Sequence, residues 1–414
     1  MTDKPRKRWN PQTVIFEKGY NPQWSEGAAI PPVFRTSTFV FKSAEEGKRA
    51  FAIAYGMEQP RKGETPSLIY TRVNNPNSEM VEDKISAWDN TEAAALFSSG
   101  MGAISGTCLA LLRPGDTIAF SDPLYGGTEY LFRKMLPNYN IRAVPFPAGS
   151  RREVIEDLVK KDPTVKMIYI ESPANPTIVL TDIGAARKVA LKYSTPERKI
   201  VLAVDNTFMG PIFCCPAAFG ADLCIYSATK FIGGHSDLVA GLVLGSKELI
   251  GQVKAVRTIL GSNSDPDTAW LILRSLGTLQ LRMEKQQENA VEVARYLKDH
   301  KRVQRVAYPG FPEMGDYQVE LFRSQCTGTG SLISFWIEGG EPEAFAILNR
   351  LKLMKLAVSL GGIETLIEHP YSMTHADMSD EEKVHAGITP NMIRLSVGLE
   401  APEDLIADLE QAMR

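Results

Sequence analysis

Cysteine is scarce in this sequence, and the little there is forms no pattern. Five residues in 414 (Cys108, Cys214, Cys215, Cys224, Cys326) include one adjacent pair and no C-x-x-C spacing. Neither a disulfide framework nor a zinc knuckle is signalled, and free thiols in a reducing cytoplasm are the expectation. Histidine is equally thin. The five at 235, 300, 369, 375 and 385 give no H-E-x-x-H spacing, so no catalytic metal is expected. Charge of one sign is missing too: 46 basic against 49 acidic residues leave a net charge of −3, and with it no chain-wide footprint for nucleic acid. No apolar run approaches the ~18 residues of a membrane span. The basic start of the chain lacks the apolar stretch of a secretion signal and reads as a solvated arm. Neither nucleic acid nor a membrane is expected as a partner.

What is present is an ordinary globular composition, 44% apolar and 23% charged, at a length that suits two or three domains. The first seventy or so residues are rich in proline and turn signals, and residues 56–66 read as a loop or insertion. From Glu92 onward, short apolar runs at 93–97, 117–120, 166–170, 200–204 and 223–226 alternate with helix-length intervals. Such runs predict buried parallel strands joined by crossover helices. A helical pattern over 268–299 is read as a bridge between domains. Strands at 330–338 and 392–397 and a closing helix follow. The division expected is an arm with an intersubunit loop at 1–74, a large domain at 75–280 and a C-terminal domain at 281–414.

An open parallel sheet binds its ligands just outside the carboxyl ends of its strands, so the residues after each run are the candidate site. They are Ser98-Ser-Gly-Met-Gly-Ala103, Ser121-Asp-Pro-Leu-Tyr-Gly-Gly127, Glu171-Ser-Pro-Ala-Asn-Pro176, Asp205-Asn-Thr207 and Ser227-Ala-Thr-Lys-Phe-Ile-Gly-Gly-His235. Gly100 and Gly102 precede a helix expected over 103–112, whose free N–H groups suit a phosphate. The glycines at 100, 102 and 106 miss the dinucleotide fingerprint by one residue, and Asp122 lies about twenty residues on. A nicotinamide dehydrogenase is therefore one reading, and a tight turn with no ligand is another.

Lys230 favours a third. It follows Ser227 and Thr229 directly behind an apolar strand. Two hydroxyls and a glycine-rich helix start suit one phosphate, and an amine beside it can bond to an aldehyde cofactor. Asp205, also at a strand end, suits a protonated ring nitrogen. Together these are what pyridoxal phosphate asks of a protein.

The segment Tyr226-Ser-Ala-Thr-Lys-Phe-Ile-Gly-Gly-His-Ser-Asp237 resembles the cofactor-lysine signature of the Cys/Met-metabolism pyridoxal-phosphate enzymes. The resemblance continues through Tyr70-Thr-Arg-Val-Asn-Asn-Pro76, Ser98-Ser-Gly-Met-Gly102, Glu171-Ser-Pro-Ala-Asn-Pro176, Ser359-Leu-Gly-Gly362, His369-Pro-Tyr-Ser-Met-Thr-His375 and Arg394-Leu-Ser-Val-Gly398. It implies an α/β protein of pyridoxal-phosphate fold type I, with a mostly parallel sheet flanked by helices, a smaller α/β C-terminal domain and an extended N-terminal arm. It also implies roles. Lys230 would carry the covalent link to pyridoxal 5'-phosphate and shuttle protons, Asp205 would hold the ring nitrogen, and Tyr125 would stack on the ring and protonate the leaving group. Gly100, Met101, Ser227 and Thr229 would bind the phosphate, and Asn175 the ring's 3-oxygen. Tyr70 and Arg72 would reach the phosphate of a neighbouring subunit, in a homotetramer built as a dimer of dimers. Arg394, helped by Ser359, would clamp the carboxylate of an amino-acid substrate as a bidentate fork.

Two positions bear on which reaction follows. Val358 stands where cystathionine-handling relatives commonly carry a glutamate that pairs with a distal ammonium, so the pattern looks like methionine γ-lyase. Gly127 stands where methionine γ-lyases typically have cysteine, which implies more room near the γ-leaving group. Glu58 and Glu64, in the 56–66 loop, are read as possible partners of a cationic substrate tail, or as part of a subunit interface. The expectation is γ-elimination from methionine, homocysteine or canavanine; γ-replacement, as in a cystathionine γ-synthase or an O-acyl-homoserine sulfhydrylase, is the alternative.

Overall fold

The apolar runs fold as strands because both of their faces find a covering layer. A computed structural model describes residues 9–61, 64 and 66–414. Its larger sheet contains β1 (Ala93–Phe97), β2 (Thr117–Asp122), β3 (Arg142–Pro147), β4 (Val165–Glu171), β5 (Val201–Asp205), β6 (Leu223–Ser227) and β7 (Gly241–Gly245), in the spatial order β1-β7-β6-β5-β4-β2-β3. The strands from β6 to β3 run parallel, while β7 is antiparallel to both of its neighbours, β6 and β1. Successive side chains of a strand point to opposite faces. Ile168, Ile170, Leu202, Val204, Cys224 and Tyr226 accordingly enter one core, and Met167, Tyr169, Val201, Ala203, Leu223 and Ile225 enter the other.

Two of these strands escape the sequence pattern. β3 contains Pro145 and Pro147 and is half exposed, as an edge strand can be. β7 is three apolar residues between two glycines.

The helix expected from 103 begins earlier, spanning Gly100–Leu111, because the Ser99 hydroxyl caps it by accepting from Gly102 N–H. The pattern over 268–299 is two helices rather than one, Pro266–Leu276 and Leu279–Asp299. They part at Gly277-Thr278, a weak helix former followed by a β-branched one, and Arg282 Nη2 donates to the released Ser275 carbonyl at 3.1 Å. The second helix serves two cores. Leu279 and Met283 pack under the large sheet, and Val293 and Leu297 pack under a smaller one.

That smaller sheet has the order β10-β11-β12-β9-β8, formed by β8 (Val303–Ala307), β9 (Leu332–Ile337), β10 (Lys355–Leu356), β11 (Leu366–Glu368) and β12 (Met392–Ser396). Ahead of both sheets, the arm carries the helices Pro11–Glu17 and Ala44–Ala54. Among the described residues, no helix is long and apolar enough to cross a membrane.

Candidate active site

A cavity of about 300 Å³ opens at the carboxyl ends of β4, β5 and β6, and residues 358–360, Thr374 and Arg394, from β12 and the segments flanking β11 in the smaller sheet, close over it. Parallel strands bring their C-terminal residues to one edge, so Glu171, Asp205 and Ser227 arrive there together. Ser99, Gly100 and Met101 join them from the start of the capped helix. A Cβ on Gly100 would lie only 3.0 Å from Ser227 Cβ and Oγ, so the bare glycine lets the two segments approach closely. The helix start and the serine are thereby pressed into one cup of N–H and hydroxyl donors. Thr229 also lines the cavity, but its hydroxyl donates to the Ala240 carbonyl at 3.1 Å and accepts from Ala240 N–H.

Asp205 is buried. Its Oδ1 accepts from the N–H and hydroxyl of Thr207, and its Oδ2 accepts from Tyr169 Oη at 3.3 Å. No basic side chain among the described residues forms an ion pair with it. Glu171 stands beside it in register. Burial pushes both carboxyls upward, and the charge of Asp205 adds to the effect at Glu171. Glu171 also joins two loops. Its Oε2 accepts from Tyr125 N–H at 2.9 Å and its Oε1 from Asn175 N–H at 2.7 Å.

Lys230 Nζ donates to Ser359 Oγ at 3.0 Å. Burial, and then the charge of Arg394, lowers the lysine amine from 10.5 to about 8, with Glu368 acting the other way. Ser359 holds a positive φ of 92°, a region that non-glycine residues avoid unless the surroundings impose it. In that conformation its hydroxyl meets Lys230 while its carbonyl accepts from Arg394 Nη2 at 2.9 Å. Arg394 Nη1 donates to Asn175 Oδ1 at 2.8 Å, which leaves the Asn175 amide N–H group as the donor for the cavity. Tyr125 and Val358 line the mouth, 43% and 55% exposed.

The structure thus brings together Gly100, Met101, Tyr125, Asn175, Asp205, Ser227, Thr229, Lys230, Val358, Ser359 and Arg394. Three expected residues stand apart. Gly127 does not line the cavity. A Cβ on it would lie 2.8 Å from Tyr125 Cε1 and 3.1 Å from Met101 Sδ, so the missing side chain makes room for those two residues rather than for a leaving group. Tyr70 and Arg72 lie outside this chain's own cavity, with Arg72 Nη1 donating to the Thr258 carbonyl at 2.7 Å. The loop acids are not free either. Glu58 and Glu64 both pair with Arg49, so their charge is already met within the chain, and residues 62, 63 and 65 of that loop lie outside the described residues.

Sequence reasoning gave no role to Glu171 and Thr207, although both follow apolar strands and were legible as strand-end residues. It passed over Glu368, whose only signal is the register of β11 against β12. In the apolar lining, Ile104, Phe208 and Val239 carried no signal, and Leu360 stood in the Ser359-Leu-Gly-Gly362 motif without a role of its own.

The residues fit pyridoxal phosphate. A cup of unspent donors faces the cavity, and a buried carboxylate without a basic partner stands where a protonated ring nitrogen would supply one. A lysine lowered toward neutrality lies close by. The family described as Cys/Met metabolism PLP-dependent enzyme matches residues 12–414. L-methionine gamma-lyase of Fusobacterium nucleatum subsp. polymorphum is 40% identical over 94% of this chain and 94% of its own. Cystathionine gamma-lyase of Mus musculus is 37% identical over 97% of this chain and 94% of its own. The crystal structure of cystathionine gamma synthase from Xanthomonas oryzae pv. oryzae, in complex with aminoacrylate and cysteine, superposes with a TM-score of 0.88 at 33% identity, covering 98% of each chain. With a match across nearly all of its length and a fold of type I, this chain belongs to the Cys/Met-metabolism family of pyridoxal-phosphate-dependent enzymes, the family of the γ-lyases and γ-synthases.

Proposed function

We propose that the protein is a γ-lyase for an L-amino acid whose γ-substituent carries no strongly basic distal group, with methionine, homocysteine and canavanine as the candidate substrates. The observation that carries this reading is the mouth of the cavity. Val358 stands next to Ser359, Ile104, Phe208, Val239 and Leu360 add apolar surface, and the carboxylates lining the cavity, Glu171 and Asp205, are engaged at its inner end. A distal ammonium would lose its water there without gaining a partner. A thioether loses little. An oxygen-substituted guanidine is a far weaker base than a guanidine, so canavanine also avoids that penalty.

Bound pyridoxal phosphate supplies the electron sink that stabilises negative charge at the substrate Cα. The residues that would hold it are Ser227 and the N–H groups of the helix at Gly100–Met101 at the phosphate, joined by Thr229 once its hydroxyl turns from the Ala240 carbonyl, with Asp205 at the ring nitrogen, Asn175 at the 3-oxygen, Tyr125 on the ring face and Lys230 at the aldehyde carbon. Arg394 binds the substrate carboxylate, which fixes Cα within reach of Lys230 Nζ. That amine, lowered to about 8, takes the Cα proton in its unprotonated form. Ser359 Oγ, 3.0 Å away, orients the amine. Tyr125 Oη gives a proton to the departing γ-group.

Tyr70 and Arg72, outside this cavity, are assigned to the phosphate of a neighbouring subunit in a dimer of dimers. The arm supports that assembly, because Trp9, Trp24, Val40 and Tyr55 on it are each at least 64% exposed. Five free cysteines suit a reducing cytoplasm.

A panel of L-methionine, L-homocysteine and L-canavanine, each supplied alone, tests the reading. Release of a 2-oxo acid and ammonia is expected, or of homoserine where water attacks Cγ. Turnover only with an acylated homoserine and a thiol would make the protein a γ-replacement enzyme instead.

A further inference from the structure

Arg394 and Glu368 face each other as a direct cross-strand pair of β12 and β11. Both side chains are almost fully buried, and Glu368 Oε1 lies 2.9 Å from Arg394 Nη2. The same Nη2 donates to the Ser359 carbonyl and Nη1 donates to Asn175 Oδ1. The edge of the guanidinium that would grip a carboxylate in two-point fashion therefore already serves protein acceptors. The same Glu368 Oε1 also accepts from the Thr374 hydroxyl at 3.1 Å, and Thr374 itself lines the cavity. Glu368 Oε2 is buried with no hydrogen-bond partner among the described residues. An unpartnered buried carboxylate oxygen is destabilising and calls for a compensating role.

We propose that Glu368 is a positioning residue for substrate binding: it occupies the Arg394 fork in place of a substrate carboxylate and cedes Nη2 to that carboxylate when an amino acid enters. The proposal rests on the reading of Arg394 as the partner of the substrate carboxylate. With substrate present, two carboxylates share one guanidinium, so Glu368 lowers affinity for the incoming anion while keeping the buried arginine paired in its absence. The other charged or titratable groups around this centre are Glu171 from the end of β4, Tyr125 from its loop, His375 beside Thr374, and Lys230. Glu368 and Arg394 act on Lys230 with opposite sign, so removing the Glu368 charge leaves the Arg394 effect unopposed.

Glu368→Gln is the test, because glutamine keeps an acceptor for Nη2 and for Thr374 while removing the charge. Binding of L-alanine, which has no γ-carbon to lose, is followed in the holoenzyme through the absorbance of the bound cofactor. Ethylamine, which lacks a carboxylate, serves as the control. The variant is expected to bind alanine on the order of tenfold more tightly and ethylamine unchanged. The pH midpoint of the cofactor absorbance should move to lower values, a change that a purely structural role would not produce. If Glu368→Gln does not fold, Glu368→Asp keeps the charge but draws it back by one methylene and should tighten alanine binding to a smaller extent. Alanine affinity unchanged or weakened in a folded variant overturns the proposal. Arg394→Lys separates it from the reading beneath it: alanine affinity indifferent to that change would remove Arg394 as the carboxylate partner, whatever Glu368 does.

Discussion

The inner end of the cavity and its mouth are assembled from one chain by different means. At the inner end, Asp205 and Glu171 leave adjacent buried strands, and their carboxylates accept from the backbone N–H groups of Thr207, Tyr125 and Asn175. At the mouth, Tyr125 and Val358 stand 43% and 55% exposed. The inner end is therefore tied to the sheet, and small changes there disturb several loops at once. The mouth is decided by individual side chains, which suits a fold that keeps one cofactor and varies its substrate.

The largest effect tests the inner end directly. Lys230→Ala should lower turnover by about a thousandfold or more and abolish a borohydride-reducible adduct on this position, read by mass spectrometry. An adduct that persists would remove the lysine assignment.

Glu171→Gln should come next. An amide has one accepting oxygen and one donating nitrogen, so one of the Tyr125 and Asn175 N–H groups faces another N–H, which costs about 1–3 kcal/mol. Cofactor affinity, followed by fluorescence titration of the apoprotein, should weaken by roughly ten- to a hundredfold. If it is unchanged, the inner end is less tightly tied than its hydrogen bonds suggest.

Acidity gives a graded test of the same end. The Lys230 amine must be unprotonated to take the Cα proton. With its pKa lowered to about 8, kcat should fall as pH drops below that value and level off above it. A lysine left at its usual 10.5 would put the rise more than two units higher, and a pH profile of kcat distinguishes the two.

The mouth should answer most weakly. Val358→Glu should leave cofactor binding intact, reduce kcat/KM for methionine and raise it for a substrate with a distal ammonium. The change should be about two- to fivefold, because a partly exposed ion pair contributes little. A large loss of cofactor in that variant would contradict the division between the two ends.

Much of the large sheet was legible because β1, β2, β4, β5 and β6 are buried on both faces and read as continuous apolar runs. β3 was not, since an edge strand tolerates Pro145 and Pro147. β7 was not, since Gly241 and Gly245 frame too short a run. Lys230 was legible through Ser227 and Thr229 beside it and Asp205 at the neighbouring strand end. Glu368 was not, because nothing local marks a residue whose partner is 26 positions away and opposite it across a sheet.

By itself, the sequence determined the strand ends, the order of the motifs and hence the cofactor, because these depend on local runs and on the rule that strand ends form the binding edge. Only the tertiary structure decided that Gly127 packs against Tyr125 and Met101, that Glu58 and Glu64 are already paired with Arg49, and that Glu368 pairs with Arg394 across two strands. Those facts depend on which distant side chains meet in a packed interior, and the spacing of residues along a chain carries no record of such meetings.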